Sequence, residues 1–123
     1  MFRLRKEHSD ALRRQALADF EARAVRHLRE HLPGPTATYS DEELLRRVRR
    51  AVPRARQHGL LTQRQVVRFL DVTFLLAEGF DQDPRYEWAA VLLRSTKLSA
   101  EARSILLLAV AASVHGGAQA GRA

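Results

Sequence analysis

Residues 62–88, TQRQVVRFLDVTFLLAEGFDQDPRYEW, contain three of the five phenylalanines, one of the two tyrosines and the single tryptophan of the chain. Aromatic side chains bury large areas, so a small domain tends to build its core around them. We therefore expect Phe69, Phe74 and Trp88 to form one buried cluster around which the other segments pack.

Local signals divide this stretch into two helices. Thr62 followed by Gln65 has the pattern of a capping box, in which each residue satisfies a backbone donor at the helix start. The residues that follow are apolar on more than one face, which is typical of a helix packed on several neighbours. We expect Gly79 to end this helix in the left-handed conformation. Asp83 and Pro84 then predict the start of a short helix that folds back.

The preceding segment predicts two further helices. Apolar residues recur every four positions over residues 12–32, which predicts a long first helix that ends at Pro33. Ser40 is the expected N-cap of the second helix, which ends at Gly59. Because proline removes a backbone donor, Pro53 predicts a kink or a break within it.

The last predicted helix begins after Ser99 and ends at Val114. Residues 116–123 are small and polar, and we expect a disordered tail there. No segment has the alternating pattern, bounded by hairpin turns, that predicts strands. The sequence therefore predicts an all-α fold, a compact bundle of about five helices forming a single domain over residues 1–115.

Length and composition limit the class of protein. At 123 residues the chain is long enough for one domain with a core of its own. The absence of cysteine excludes disulfides and thiolate metal sites. The first residues lack the apolar core of a signal peptide, and no apolar run approaches the ~20 residues of a membrane span. We expect a cytoplasmic protein without a membrane span.

The formal net charge of +7 favours an acidic partner: nucleic acid, a membrane surface or an acidic protein. The positive excess is concentrated in residues 1–32 and 41–56. The second of these ranges contains six arginines, which are the best nucleic-acid feature of the chain. They are not interleaved with aromatic residues, and no recognition-helix turn accompanies them.

His27, Glu30 and His31 match the H-x-x-E-H pattern of inverted zinc peptidases. No distant acidic residue stands out as the third ligand, and a histidine near Pro33 simply complements the helix dipole. We predict no metal site, with His27 and His31 largely exposed and no acid from elsewhere beside them.

The acidic residues have similar structural explanations. Residues 81–83 resemble the start of a calcium loop but lack its glycine and distal glutamate. Asp71 lies in an apolar helix, where it could anchor an arginine of the second helix or contact a partner. We favour a third arrangement, a solvent-facing row with Arg64 and Arg68. No phosphate loop, nucleophile elbow or catalytic carboxylate pair is present. We therefore expect no enzyme, no catalytic residue and no cofactor.

Three segments carry a resemblance to a known group of proteins. They are FRLRKEHSDALRRQALADFEARAVRHLREHLP at residues 2–33, HGLLTQRQVVRFLDVTFLLAEGFDQDP at residues 58–84, and Trp88-Ala89. They resemble small helical proteins encoded among type VI secretion genes, beside genes for spikes and toxic effectors. The group has Gly-Pro where this chain has Ala77-Glu78. The resemblance implies an adaptor, a chaperone or a component of an effector complex, which is carried with the secreted complex.

From the residues themselves we predict a protein-binding surface that joins basic side chains of the first two helices to apolar residues beside the corner at residues 80–88. Charge should speed the encounter, and aromatic and arginine side chains should anchor the interface. The candidate partner-binding residues are Arg46, Arg47, Arg49, Arg50, Phe80, Arg85 and Tyr86. Two alternatives stay open: a basic nucleic-acid-binding module, and an immunity protein that binds and blocks a toxin.

Overall fold

The computed structural model describes the backbone of residues 6–120 and the side chains of residues 6–116, and it is all-helical over that part of the chain. The all-α prediction is therefore confirmed. The helices are α1 (Lys6–His31), α2 (Pro33–Thr36), α3 (Asp41–Gln57), α4 (Gln63–Leu75), α5 (Glu87–Leu93) and α6 (Ala100–Ala120). Two 3-10 turns, Phe80–Gln82 and Pro84–Tyr86, connect α4 to α5.

Helix α4 is the centre of the bundle. It packs between α3 and α6, and α1 and α2 complete its surroundings. The capping box at its start is confirmed, since the Thr62 hydroxyl accepts from the Gln65 backbone at 3.1 Å and Gln65 Oε1 accepts from the Thr62 backbone at 3.3 Å. Phe69 and Leu70 are almost completely buried. The stretch expected to organise the fold therefore does so.

Two predicted helix signals have different outcomes. Ser40 caps α3 by accepting a hydrogen bond from the Glu43 backbone, as expected. Helix α3 continues through Pro53 to Gln57, so no break occurs there.

The predicted left-handed stop at Gly79 is wrong. Helix α4 ends at Leu75, and Gly79 has a φ of −96°. Among the described residues, the positive φ belongs to Gly59, at +78°. A Cβ atom at Gly59 would lie 3.3 Å from Arg103 Nη2, so glycine suits both the backbone and the space. The chain leaves α4 early because the following 3-10 turn brings Phe80 into the core.

The aromatic core differs from the single cluster that the sequence predicts. Phe69 and Phe80 are both fully buried, with ring centroids 5.0 Å apart. Phe74 is half-buried and meets Tyr39 edge-on at 5.6 Å, on the side of the bundle where Tyr39 precedes α3. Trp88 is also half-buried. The prediction of one buried cluster of Phe69, Phe74 and Trp88 is therefore wrong, because Phe80 fills the central position.

Arg103 ties three helices together from the start of α6. Its Nη1 atom donates to the carbonyls of His58 and Leu93, each at 2.7 Å. These carbonyls lie at the ends of α3 and α5, where backbone acceptors lack partners within their own helices. Helix α6 continues to Ala120, beyond the predicted end at Val114, and residues 121–123 of the predicted tail lie outside the described residues.

Candidate protein-binding surfaces

Two of the predicted partner-binding residues, Arg47 and Phe80, lie inside the bundle. Arg47 is 8% exposed, and its guanidinium lies 4.0 Å from the centroid of the Phe74 ring. Its Nη2 atom donates to the Thr73 carbonyl at 2.9 Å, and its Nε atom lies 3.2 Å from a carboxylate oxygen of Glu78. The expectation that Arg47 and Phe80 are surface residues is therefore wrong. Arg47 packs on the Phe74 ring and binds the Thr73 carbonyl, and Phe80 lies in the core.

Arg49 and Arg50 are exposed but paired with acids of other segments. Arg49 Nε donates to Glu21 of α1 at 3.0 Å, and this hydrogen bond raises the pKa of Arg49. Arg50 Nε donates to Glu78 at 2.8 Å. Arg46, by contrast, is exposed and forms no ion pair within the described part of the chain. The basic face of α3 thus serves largely to connect α3 to its neighbours.

The end of α3 forms a polar cluster with the corner at residues 80–88. The Asp81 side chain is 4% exposed, and it accepts from Arg54 and lies 2.8 Å from His58 Nε2. Arg54 also donates to the Glu78 carbonyl at 3.0 Å. These contacts give the buried carboxylate the partners that it requires. They also explain why residues 80–82 are held against the core.

Arg85 and Tyr86 remain at the surface of the corner. Arg85 is exposed and binds Asp83 at 2.8 Å, and this hydrogen bond holds the pKa of Asp83 below its usual range. The Arg85 guanidinium lies 5.2 Å from the ring centroid of Tyr86, which is half-buried. Because two of the seven candidates are buried, the structure does not bring the predicted residues together as one exposed surface.

A different surface is formed by apolar side chains of α5 and α6. A shallow groove of about 690 Å³ is lined mostly by apolar residues, and Glu87 and Ser95 complete its lining. The apolar residues are Trp88, Val91, Leu92, Leu98 and Val110. Val91 is 55% exposed and Val110 is 40% exposed. The α5–α6 surface consists of this groove with the exposed α6 residues that lie a turn to either side of Val110, namely Leu106 and Val114.

The α6 part of the α5–α6 surface lies on an uncharged stretch of sequence. Residues 104–114 read SILLLAVAASV and contain no ionisable side chain. Leu107 and Ala111 are buried where α6 packs on its neighbours, whereas Leu106 is 42% exposed on another face. A helix that is apolar all round is normally covered on most sides. The sequence gives the apolar character of α6 but not which of its faces the bundle leaves uncovered.

His27 and Asp71 meet where α1 crosses α4. His27 Nε2 lies 2.9 and 3.0 Å from the two carboxylate oxygens of Asp71, which is 7% exposed. Burial raises the pKa of Asp71, and the hydrogen bond with His27 opposes this effect. Two predictions are wrong here, because Asp71 does not lie in a solvent-facing row and His27 is half-buried beside an acid from another helix.

His31 lies at the exposed end of α1, and its ring centroid is 4.6 Å from that of His27. Arg68, which was expected beside Asp71, instead donates to Glu101 of α6 at 2.8 Å. Within the part of the chain that the structure describes, no group of three histidine or carboxylate side chains is placed to hold a metal ion.

In comparisons with known proteins, the chain matches no protein family, no curated protein and no solved structure. None of the helices over residues 6–120 combines the length and the apolar character needed to cross a membrane.

Proposed function

We propose that this chain is a non-enzymatic protein-binding adaptor, a chaperone-like accessory protein that binds a secreted toxin, an effector or a spike component of a type VI secretion system. The observation that carries the binding role is the exposed and predominantly apolar α5–α6 surface, whose α6 part is uncharged over residues 104–114. The secretion context comes from the sequence resemblance alone.

The outer face of α6 supports a bound partner. Leu106, Val110 and Val114 are 42%, 40% and 44% exposed. Contiguous apolar patches of this kind mark interaction sites.

The chemistry of the surface indicates an apolar segment of the partner. Leu106, Val110 and Val114 provide large apolar contacts, while Ala109 and Ser113 are small and let another helix approach closely. Because no charge lies among these residues, an acidic or basic segment would lose its hydration without gaining an ion pair. A predominantly apolar helix of the partner has few charged groups to dehydrate and so avoids this cost.

The nucleic-acid-binding alternative has weaker support, because most of the arginines that it requires already bind protein groups. Arg47, Arg49, Arg50 and Arg54 all pair with acids of this chain. An immunity protein would use the same apolar surface to bind its toxin. The two protein-binding roles differ in outcome, since an immunity protein neutralises the toxin and an adaptor delivers it active.

Site-specific photo-crosslinking in cells of the source organism tests the proposal. Benzoyl-phenylalanine replaces Leu106 or Val91 on the proposed surface, and Leu61 serves as a control, since it is 67% exposed and lies outside that surface. We expect Leu106 and Val91 to yield the same covalent adduct, with a toxin, effector or spike protein. An adduct of equal yield from Leu61, or none from either surface position, would contradict the proposal.

A further inference from the structure

We propose that the chain has a second binding site, a groove between α1 and α4 that binds an acidic amphipathic helix of a protein partner. We refer to it as the α1–α4 groove. Its lining residues include Phe20, Arg23, Arg64 and Asp71, and its volume is about 440 Å³. None of the lining residues belongs to the α5–α6 surface, so this site goes beyond the adaptor surface proposed above.

The floor of the α1–α4 groove is apolar. Phe20 and Ala24 of α1 meet Val67 of α4 there, and Leu108 of α6 closes one side. Phe20 and Ala24 are buried, whereas Val67 and Leu108 are half-buried and retain exposed apolar area. A ligand that places apolar side chains over Val67 and Leu108 would remove this area from water, which favours binding.

The walls of the α1–α4 groove carry positive charge on both sides. Arg23 of α1 donates to the neutral amide oxygen of Gln63 at 3.1 Å, so its charge is not balanced by an acid. Arg64 of α4 is exposed, and within the described residues it interacts electrostatically with Glu101 but forms no ion pair. Arg68 also lines the groove, but Glu101 balances it. Arg23 and Arg64 are therefore the two cations available to a ligand.

The acid that lines the groove offsets only part of its positive charge. The side chain of Asp71 is 10% exposed, and His27 contacts both of its carboxylate oxygens. Arg23 and Arg64 outnumber this one carboxylate. The groove therefore offers an excess of positive charge around an apolar floor, and its complement is an apolar face flanked by carboxylates.

The shape of the groove favours a helix as the ligand. Its walls follow two turns of α1, over residues 20–27, and two turns of α4, over residues 63–71. Two turns of a helix measure about 11 Å, so a short helical segment of the partner matches the groove in length. Helices that dock in such grooves insert side chains spaced three and four residues apart. Acidic residues on the flanks of that stripe would lie near Arg23 and Arg64.

A designed peptide and the full-length chain test this proposal. The probe is a labelled 15-residue helical peptide with leucines along one stripe and glutamates on both flanks. The matched peptide has lysine in place of every glutamate. We expect fluorescence anisotropy to detect binding of the acidic peptide, with weaker binding at higher salt, and affinity for the lysine peptide to be at least about tenfold lower. Equal affinity for the two peptides would overturn the proposal.

Variants of the chain locate the site. Arg23→Gln combined with Arg64→Gln removes both available cations from the groove. Arg46→Gln combined with Arg94→Gln removes the same charge from exposed positions elsewhere. We expect the groove variant to bind the acidic peptide about tenfold more weakly, and the control variant to change its affinity less than about twofold. Equal weakening by both variants would mean attraction by net charge alone and would overturn the proposal.

Nuclear magnetic resonance gives the position directly. We expect the acidic peptide to shift the backbone amides of Ala24 and Val67 in the labelled full-length chain. Shifts confined to the amides of α5 and α6 would overturn the proposal. It would also be overturned if an oligonucleotide displaced the peptide and shifted the groove amides more strongly. The adaptor surface is tested separately, because Leu106→Gln with Val110→Gln should lose the crosslinked partner and retain the peptide.

Discussion

Helix α3 presents arginines that are mostly paired with acids of the same chain, whereas helix α6 presents exposed apolar side chains. Residues 41–56 include six arginines, and the sequence indicates a basic face for a partner. In the structure four of those arginines are committed to acids of this chain, and Arg47 is buried. Helix α6 has no charge over residues 104–114, yet Leu106, Val110 and Val114 remain exposed.

The neighbours of a helix, more than its composition, decide which of its side chains stay exposed and unpaired for a partner. The arginines of α3 are long enough to reach Glu21 and Glu78, so their charged groups are satisfied within the bundle. Within the described residues, helix α6 packs mainly on α4 and α5, and Leu106, Val110 and Val114 stay exposed. Exposed apolar area of this kind is available for binding, whereas paired arginines are not.

The largest effect on stability should come from the corner that α3 holds in place. Phe80→Ala removes a fully buried ring that contacts Phe69, and we expect it to lower the free energy of unfolding by about 3–5 kcal/mol. Urea denaturation measures the change, with Leu61→Ala as an exposed control. A midpoint close to that of the control would show that the corner contributes little to the core.

Two adjacent arginines test whether the basic face of α3 is structural. Arg47→Met leaves the Thr73 carbonyl without its donor and removes a partner of Glu78, and we expect a loss of about 2–3 kcal/mol. Arg46→Met changes an exposed side chain and should stay within about 0.5 kcal/mol. Urea denaturation of both variants is the measurement. Equal losses would break the distinction between buried and exposed arginines on this helix.

Asp71 provides a test of a buried charge outside α3. Burial raises the pKa of Asp71 above its ordinary value of 3.8. A raised pKa means that the folded state holds the Asp71 proton more tightly than the unfolded state does. Protonated Asp71 therefore contributes fully to stability below pH 3.8, and this contribution is lost as the pH rises through the pKa of Asp71 in the folded state. We therefore expect Asp71→Asn to increase stability at neutral pH, by less than the Arg47 variant loses.

The advantage of Asp71→Asn should disappear when unfolding is measured at a pH below 3.8. Asp19→Asn, the same substitution at an exposed position, is the control. A loss of stability for Asp71→Asn at neutral pH would mean that its charged contact with His27 outweighs the effect of burial.

The smallest effect on stability should come from the exposed face of α6. We expect Leu106→Gln with Val110→Gln to change the free energy of unfolding by less than about 0.5 kcal/mol and to reduce binding of a hydrophobic dye. Leu107→Ala, at a fully buried neighbouring position, should lose about 2–5 kcal/mol. If the surface variant were as unstable as Leu107→Ala, the α5–α6 surface would be part of the core.

The helix starts could be predicted because their signals are local. Thr62 with Gln65 and Ser40 with Glu43 make their hydrogen bonds within one turn, so neighbouring residues suffice to identify them. The end of α4 could not be predicted in this way. It depends on Phe80 reaching the core, which is a property of the folded bundle.

The candidate site was largely beyond prediction for a similar reason. His27 and Asp71 are 44 residues apart, and Arg54 and Asp81 are 27 residues apart. Such pairs form only when particular helices cross at particular positions, and periodicity along one helix does not determine this. The apolar character of α6 was evident from its residues. Which of its faces stays exposed depends on the packing of the whole bundle, so it could not be predicted from them.

Arg103 has a consequence for the motions of the bundle. Its guanidinium, near the start of α6, donates to the His58 carbonyl at the end of α3 and to the Leu93 carbonyl at the end of α5. Helix ends normally fray separately, and their amide protons then exchange with solvent on separate timescales. Here, opening either end requires the same side chain to move. Amide hydrogens near the close of α3 and of α5 should therefore exchange as one cooperative unit, although the two helices are far apart in the sequence.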